Sequence, residues 1–468
     1  MNFAISQVAN KLPPPAYGSQ IANYFKEAVA SDDFTVVFRS LDAKPNPRMH
    51  RWICSVTDTG LSIMPKHIFE KLDPKTIDQQ TFITNTKFTG IVTAPYICVY
   101  NTNEKRIFDV RPDWWGVKNG FAPLPQVKRI IVLPGSIDQT VLAQSYSKNE
   151  IDTSLAPLPS SMKSIIDQNP QLTTWTGRKL PLGNVDPWPN LLWLNNEDPL
   201  FNDSRVRWAI SYAINPKKLI DDIWSGMGIP SRIPFTLSSI FQPYIDALTP
   251  LLDQYPVGIQ DLNKSAALMK EAGWTKNVDG IWEKGGTIFQ PNFGGFNALY
   301  SDIGPALCDQ LTQAGFKTEY KEPPDLWSGA LAKGVLNMCV FGVACDLDVY
   351  DVIEYFHSRH YAPNGTALPL DSWNARFKNA DYDAIVNQMT KMNPDDDPKA
   401  YRDMVVKAMT IWYKELPSIP IWQWIHFVPM DTRYWTGWPS QDDPYGDPAM
   451  WLRNGGFITP LHVKKAKA

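Results

Sequence analysis

Residues 201–226 read FNDSRVRWAISYAINPKKLIDDIWSG, and they set the terms for the rest of the chain. Asn202 or Asp203 can accept from the free backbone N–H groups that open a helix. Val206, Ala209, Ile210, Ala213 and Ile214 then recur at helical spacing and define one apolar face. Asn215-Pro216 ends that helix. Pro216 suits the first turn of a second one, where its missing N–H costs nothing. Leu219, Ile220 and Ile223 continue the apolar face as far as Gly226.

Working outward, runs of strand character alternate with amphipathic helices, which predicts an α/β protein. On the amino-terminal side, Phe34 to Phe38 is a β-rich run after Asp32-Asp33. Lys128 to Leu133 reads as a strand closed by Pro134-Gly135, followed by a short helix over Asp138 to Ser145. On the carboxy-terminal side, Asn263 to Glu271 is a helix, with Gly273 placed to stop it in a left-handed conformation. Gly280 to Thr287 reads as a hairpin, Ile303 to Gly315 as a helix and Lys317 to Tyr320 as a strand. Val335 to Val343 is a buried strand and Tyr401 to Leu416 a helix. Pro417 to Trp422 is an extended segment punctuated by proline, a candidate hinge. No fixed-period repeat interrupts this order.

The 468 residues suffice for two or three domains, and 44% hydrophobic with 20% charged is a globular balance. A net charge of -3 gives no global attraction to nucleic acid or to anionic membranes. The basic residues at Lys464, Lys465 and Lys467 read as a solvated tail. Forty prolines imply many fixed loops, and eighteen tryptophans exceed what a core of this size uses. Indoles are flat, apolar and carry one donor, so they suit concave ligand sites; most are still expected in the core. The five cysteines, Cys54, Cys98, Cys308, Cys339 and Cys345, are widely spaced and odd in number. They form neither a disulfide framework nor a zinc ribbon, and they leave the compartment open. No apolar run is long enough to span a bilayer, and residues 1–20 lack the pattern of a signal peptide.

The motifs of common enzymes are missing: there is no GxSxG, HExxH, GxxxxGK or strand-linked GxGxxG. Ser160-Ser161-Met162-Lys163 matches SxxK but lacks a companion KTG, and Pro157 and Pro159 place it in a loop. His357 and His360 could share one side of a helix, without a local acidic third ligand. Asp395-Asp396-Asp397 reads as a solvated turn and helix start. These readings predict no catalysis, no metal and no cofactor.

The stretch from Phe201 to Asn215 resembles the signature "pFxDxRVRqAisyAID" of the family 5 bacterial extracellular solute-binding proteins, with Asn215 in place of the usual Asp. Gly90 to Tyr96 resembles its "GTGPY" segment, with Ala94 where Gly is usual. Arg111 to Gly116 resembles "rNpdYWG", Asn149 to Asp152 "sGEiD", Ala266 to Trp274 "AkaLLkEAGW", and Ala380 to Asp383 "NpeyDal". The resemblance covers nearly the whole chain. It implies a periplasmic binding protein of type II, a two-lobed Venus flytrap that closes on its ligand in a cleft. Residues 1–88 would be the remainder of a small extra domain. Residues 89–195 and 422–468 would form the major lobe, and 196–421 the second lobe. The family's first major-lobe strands and its leader would precede Met1, so the resemblance implies a truncated start. It also implies a monomeric subunit of an ABC importer, working in the periplasm or on the outer face of the cell membrane and docking on permease subunits.

For the ligand, two branches of the family compete. In peptide binders, a strand before an "aDyxDPxnf" segment pairs with the peptide, and its Asp accepts the ammonium group. Val343, Ala344, Cys345 and Asp346 match those positions, although Asp348-Val349 replaces Asp-Pro. Asp348 can instead cap the helix through Tyr355. The oligosaccharide branch has a "tGWPteenPY" tail, which Thr436 to Tyr445 resembles. Pyranose rings stack C–H faces on indoles, and Trp373, Trp422, Trp424, Trp435 and Trp438 could supply them. The balance leans to an oligosaccharide, with an oligopeptide or dipeptide as the alternative and a hydrolase or scaffold as a distant one.

Overall fold

A computed structural model describes residues 2–10, 18–41, 65–73, 83–84, 87–88, 92–133, 138–154, 158–295, 300–322, 333–343, 348–368, 375–450 and 452–467. The chain divides into two compact units. One holds Met1–Pro157, Ser161–Gly183 and Phe427–Ala468; the other holds Leu158–Ser160 and Asn184–His426.

In the first unit, β1 (Phe25–Ala30) and β2 (Val36–Ser40) form an antiparallel hairpin. The Asp32 carboxylate accepts from the Phe34 N–H and closes the turn. The expected strand therefore starts two residues later than its β-rich run. A second sheet contains β3 (Tyr96–Asn101), β4 (Arg106–Val110) and β5 (Arg129–Val132), all antiparallel. Arg129 fixes the β4–β5 register by donating to both oxygens of Asp109, at 2.6 and 2.8 Å. The helix α1 (Gln139–Ser147) starts at Asp138, whose carboxylate accepts from Thr140 N and Val141 N. The SxxK residues do not lie in a loop. They open α2 (Pro159–Gln168), since proline is well tolerated in a first helical turn, and Lys163 pairs with Asp167 one turn on.

The second unit is built on a six-stranded mixed sheet. Its strands are β6 (Asn190–Leu194), β7 (Ile229–Pro230), β8 (Phe293–Gly295), β9 (Tyr320–Lys321), β10 (Met338–Gly342) and β11 (Ser418–Gln423), in the order β7-β11-β6-β10-β8-β9. All five residues of β6 are buried, which explains its unbroken apolar run. All six of β11 are buried too. Proline is rare in an inner strand; here Pro420 faces Leu191 beside a register shift in the β6–β11 ladder.

The decisive stretch folds as two helices, α3 (Ser204–Ala213) and α4 (Pro216–Trp224). Asp203 rather than Asn202 is the first cap, and Asn215 caps the second helix by accepting from Lys218 N. Arg207, on α3, is buried. Its guanidinium donates to the Phe201 carbonyl at 2.6 Å and to the Glu415 carbonyl at 2.6 and 2.9 Å. It thereby ties α3 to the end of the helix Pro398–Glu415, whose C-cap Leu416 is left-handed. Burial pushes the Arg207 pKa down to about 10, against the opposing charge of Glu415. Leu262–Glu271 is helical as expected, and Gly273 follows at φ 85°. The hairpin turns at Gly285-Gly286 between Trp282–Lys284 and Thr287–Ile288. His357 and His360 do not share a helix face. Ser358–His360 is a 3₁₀ turn capped by the His357 ring, which accepts from Arg359 N at 2.8 Å.

Candidate functional site

Asn190 pairs laterally with Gly342 on one side and with Trp422 on the other. That register brings the ends of β10, β6 and β11 to one end of the sheet. Two segments chosen separately from the sequence meet there: the end of the presumed ligand-facing strand and the tryptophan pair of the Ile-Trp-Gln-Trp run. Val343 follows Gly342, is 3% exposed, and donates its N–H to the Pro189 carbonyl at 3.0 Å.

Around this point the indoles form a cluster. Trp224, at the end of α4, lies perpendicular to Trp422 at 5.2 Å and nearly so to Trp424 at 5.7 Å. Tyr300 meets the same two rings at 6.3 and 5.9 Å. Edge-to-face arrangements of this kind are favoured by the aromatic quadrupole. The polar atoms are mostly committed. The Tyr300 hydroxyl donates to Asn190 Oδ1, and Trp224 Nε1 donates to Asp302 Oδ2 at 3.1 Å. His426 Nε2 meets Asp186 Oδ2, and Asp186 Oδ1 accepts from Trp188 N at 2.6 Å. Burial raises the Asp302 pKa, which the Trp224 N–H opposes, and burial raises the Tyr300 phenol well above its usual value. Trp422 is fully buried, and its Nε1–H has no acceptor.

Of the nine residues nominated from sequence, Val343, Trp422 and Trp424 gather here. Ala344, Cys345, Asp346 and Trp373 lie outside the described residues. Trp435 and Trp438 belong to the other unit. Trp435 is half-buried on the short strand Trp435–Thr436, which pairs with Lys464–Lys465, and its indole bonds to Asp152. Trp438 donates to the Asp431 carbonyl at 2.9 Å and packs on Val428, Met430 and Ala449. Asp348 caps the helix Val349–Tyr355 by accepting from Tyr350 N, and it also accepts from the Tyr401 hydroxyl at 3.1 Å. Sequence reasoning missed Trp224, Tyr300, Asn190 and Asp302. Trp224 could have been suspected from its place at the end of a well-marked helix; nothing local singles out the others.

A shallow groove runs along β10, lined by Trp193, Met338, Phe341, Leu368, Asn337 and Arg376. Its cation is already used: Arg376 donates to the carbonyls of Ala362, Pro363 and Thr366. Among the described residues no group of three or more His, Cys, Asp or Glu could hold a metal, and no helix is long and apolar enough to cross a membrane.

Comparison with known proteins adds three findings. The profile of the bacterial extracellular solute-binding proteins, family 5 (Middle), matches residues 2–404. Heme-binding protein A of Haemophilus influenzae is 23% identical over 354 residues, covering 73% of this chain and 56% of its own. The chain spans about half the length of the curated relatives it matches. Among solved structures, a mannohexaose-bound periplasmic oligopeptide-binding protein of an ABC transporter from Thermotoga maritima superposes with a TM-score of 0.81 at 19% identity, covering 100% of this chain and 83% of the other. The oligopeptide-binding protein AppA of Bacillus subtilis, in complex with a nonapeptide, gives 0.72 at 15% identity, covering 99% and 82%. Both have the periplasmic binding protein fold of type II, and this chain shares it.

Proposed function

The chain belongs to the bacterial extracellular solute-binding proteins of family 5, and from that premise we propose that it captures an oligosaccharide for an ABC importer and delivers it to the permease subunits in the membrane. The observation that carries this reading is the aromatic cluster at the Asn190 end of the sheet, where Trp422 and the end of β10 lie on either side of β6 and Trp422 and Trp424 pack on Trp224. Indole-rich surroundings suit the apolar C–H faces of pyranose rings. The mannohexaose held by the Thermotoga maritima protein is a ligand of that chemistry. Trp373, Trp435 and Trp438 belong to the same proposal as further ring faces, and Ala344, Cys345 and Asp346 as the segment that continues β10 toward the ligand. Binding without turnover, by a monomer in the periplasm or on the outer face of the cell membrane, completes it. The division into a small extra domain at 1–88, a major lobe at 89–195 with 422–468, and a second lobe at 196–421 belongs to this reading.

A second reading has its own support. Val343 opens the segment that, by the resemblance to the peptide binders, would pair with an extended peptide, a mode in which backbone hydrogen bonds to a free edge give the affinity. The nonapeptide bound by the Bacillus subtilis protein is a ligand of that kind. Calorimetric titration of the protein with mannohexaose and with a mixed tetrapeptide separates the two. Saturable binding of mannohexaose, with the sugar recovered intact, is expected. Binding of the peptide alone would replace the first reading by the second, and cleavage of either ligand would reject both.

A further inference from the structure

The residues leading into β6 form a turn that touches both segments of the candidate site. Asp186 is buried, and both of its carboxylate oxygens are engaged. Oδ1 accepts from Trp188 N at 2.6 Å, and Oδ2 meets Nε2 of the equally buried His426. The backbone on either side reaches the two segments. Asp186 N donates to the Trp424 carbonyl at 2.9 Å, and Val343 N donates to the Pro189 carbonyl at 3.0 Å. Between them, Asn190 Nδ2 donates to the Trp188 carbonyl at 3.3 Å. The fit against β10 is close: a Cβ added to Gly342 would lie 3.2 Å from Trp188 Cβ, and the Trp188 ring stands edge-on to Phe341 at 6.1 Å. Since β10 and β11 do not pair with each other but lie on either side of β6, residues 186–190 join two segments that the sheet keeps apart. Burying a carboxylate is costly. An apolar residue would fill the same space without that cost, but it could not accept from the N–H two residues on and set the turn.

Resting on the binding role proposed above, we infer that Asp186 is a positioning residue: by closing the turn on Trp188 N, it holds the start of the segment after β10 in register with the strand that carries Trp424. Asp186 does not itself meet the bound molecule. Its Oδ1 sets the turn, and the His426 contact anchors the carboxylate from the other side.

The test separates the geometry of this carboxylate from its charge. Asp186→Asn keeps an oxygen that accepts from Trp188 N and an amide that can donate to a neutral imidazole, but it loses the charge. Asp186→Glu keeps the charge, but one more methylene prevents the same short turn, which is a property of Asp and Asn. Arg207→Ala serves as a control, because it loosens α3 elsewhere in the same unit. All four proteins are melted, then titrated with mannohexaose and with a mixed tetrapeptide at a temperature where each is folded. Every variant should melt below wild type. Affinity should stay within about twofold of wild type for Asp186→Asn and Arg207→Ala, and fall about fivefold or more for Asp186→Glu, the size of one net hydrogen bond. Full affinity in Asp186→Glu would overturn the inference. So would an equal loss in Asp186→Asn, which would assign the effect to charge, or in Arg207→Ala, which would assign it to general loosening. The asparagine variant and the control keep the inference open to refutation even where the glutamate variant does not fold. If wild type binds neither probe, the binding role fails and the inference falls with it; if wild type binds and the variants do not follow this order, the inference alone falls.

Discussion

The sheet of the second unit and the three-stranded sheet of the first are built from similar residues and have opposite surroundings. In β6, Leu191, Leu192 and Leu194 are all completely buried, and strands pair with it on both sides. In β5 the run Arg-Ile-Ile-Val ends a sheet, with Ile131 55% exposed and Leu133, just beyond it, 54% exposed. The apolar run predicts a strand in both places and succeeds in both. It does not predict cover, because burial depends on which helices and strands pack across the faces. An apolar strand at an open edge is also a surface on which another strand can pair.

Four measurements sharpen that contrast. Leu192→Ala should cost roughly 2–5 kcal/mol in urea unfolding, the range for emptying a closed core position. A cost below 1 kcal/mol would mean that the sheet of the second unit is not the rigid one. Arg207→Ala should cost about 2–4 kcal/mol, because the Phe201 and Glu415 carbonyls lose their donors inside the protein. Arg207→Lys should recover only part of it, since an ammonium cannot reproduce the guanidinium fork.

Asp203→Ala should cost about 0.5–2 kcal/mol through loss of the cap on α3. Arg205 beside it holds the Asp203 carboxyl below its ordinary value. A lowered folded-state pKa means stability that is present above the unfolded value and lost as pH falls through the folded one. The gap between wild type and variant should therefore close in acid, below about pH 4; a gap that widens in acid would contradict the assignment. Ile131→Thr, on the exposed strand β5, should change stability by about 0.5 kcal/mol or less, and it should reduce any self-association seen by light scattering. A cost as large as that of Leu192→Ala would show that β5 is covered in solution.

Much of the local structure was legible because local chemistry suffices for it. Asp203, Asn215-Pro216 and Gly273 punctuate helices through their own side chains or backbone freedom, and the observed ends fall within a residue or two of the expected ones. Asp348 shows the same logic: the capping alternative is what its side chain does. Errors came where two local rules competed. Pro157 and Pro159 suggested a loop around Ser160, and the helix-opening preference of proline prevailed. The spacing of His357 and His360 suggested a helix face, and a tighter 3₁₀ turn formed instead.

The candidate site divides along the same line. The sequence by itself determined the family, through a fifteen-residue signature, and the alternation that makes the chain α/β. It also nominated Val343, Trp422 and Trp424, each from its own neighbourhood. Only the tertiary structure decided that these three share one end of a sheet, because β10 and β11 lie more than seventy residues apart in sequence and meet only through their common partner β6. It alone supplied Trp224, Tyr300 and Asp302. A cap is a contact between residues a few positions apart, so it is written in the order of the chain. A ring packed against a ring across a sheet end depends on strand register, which is settled when the whole core closes.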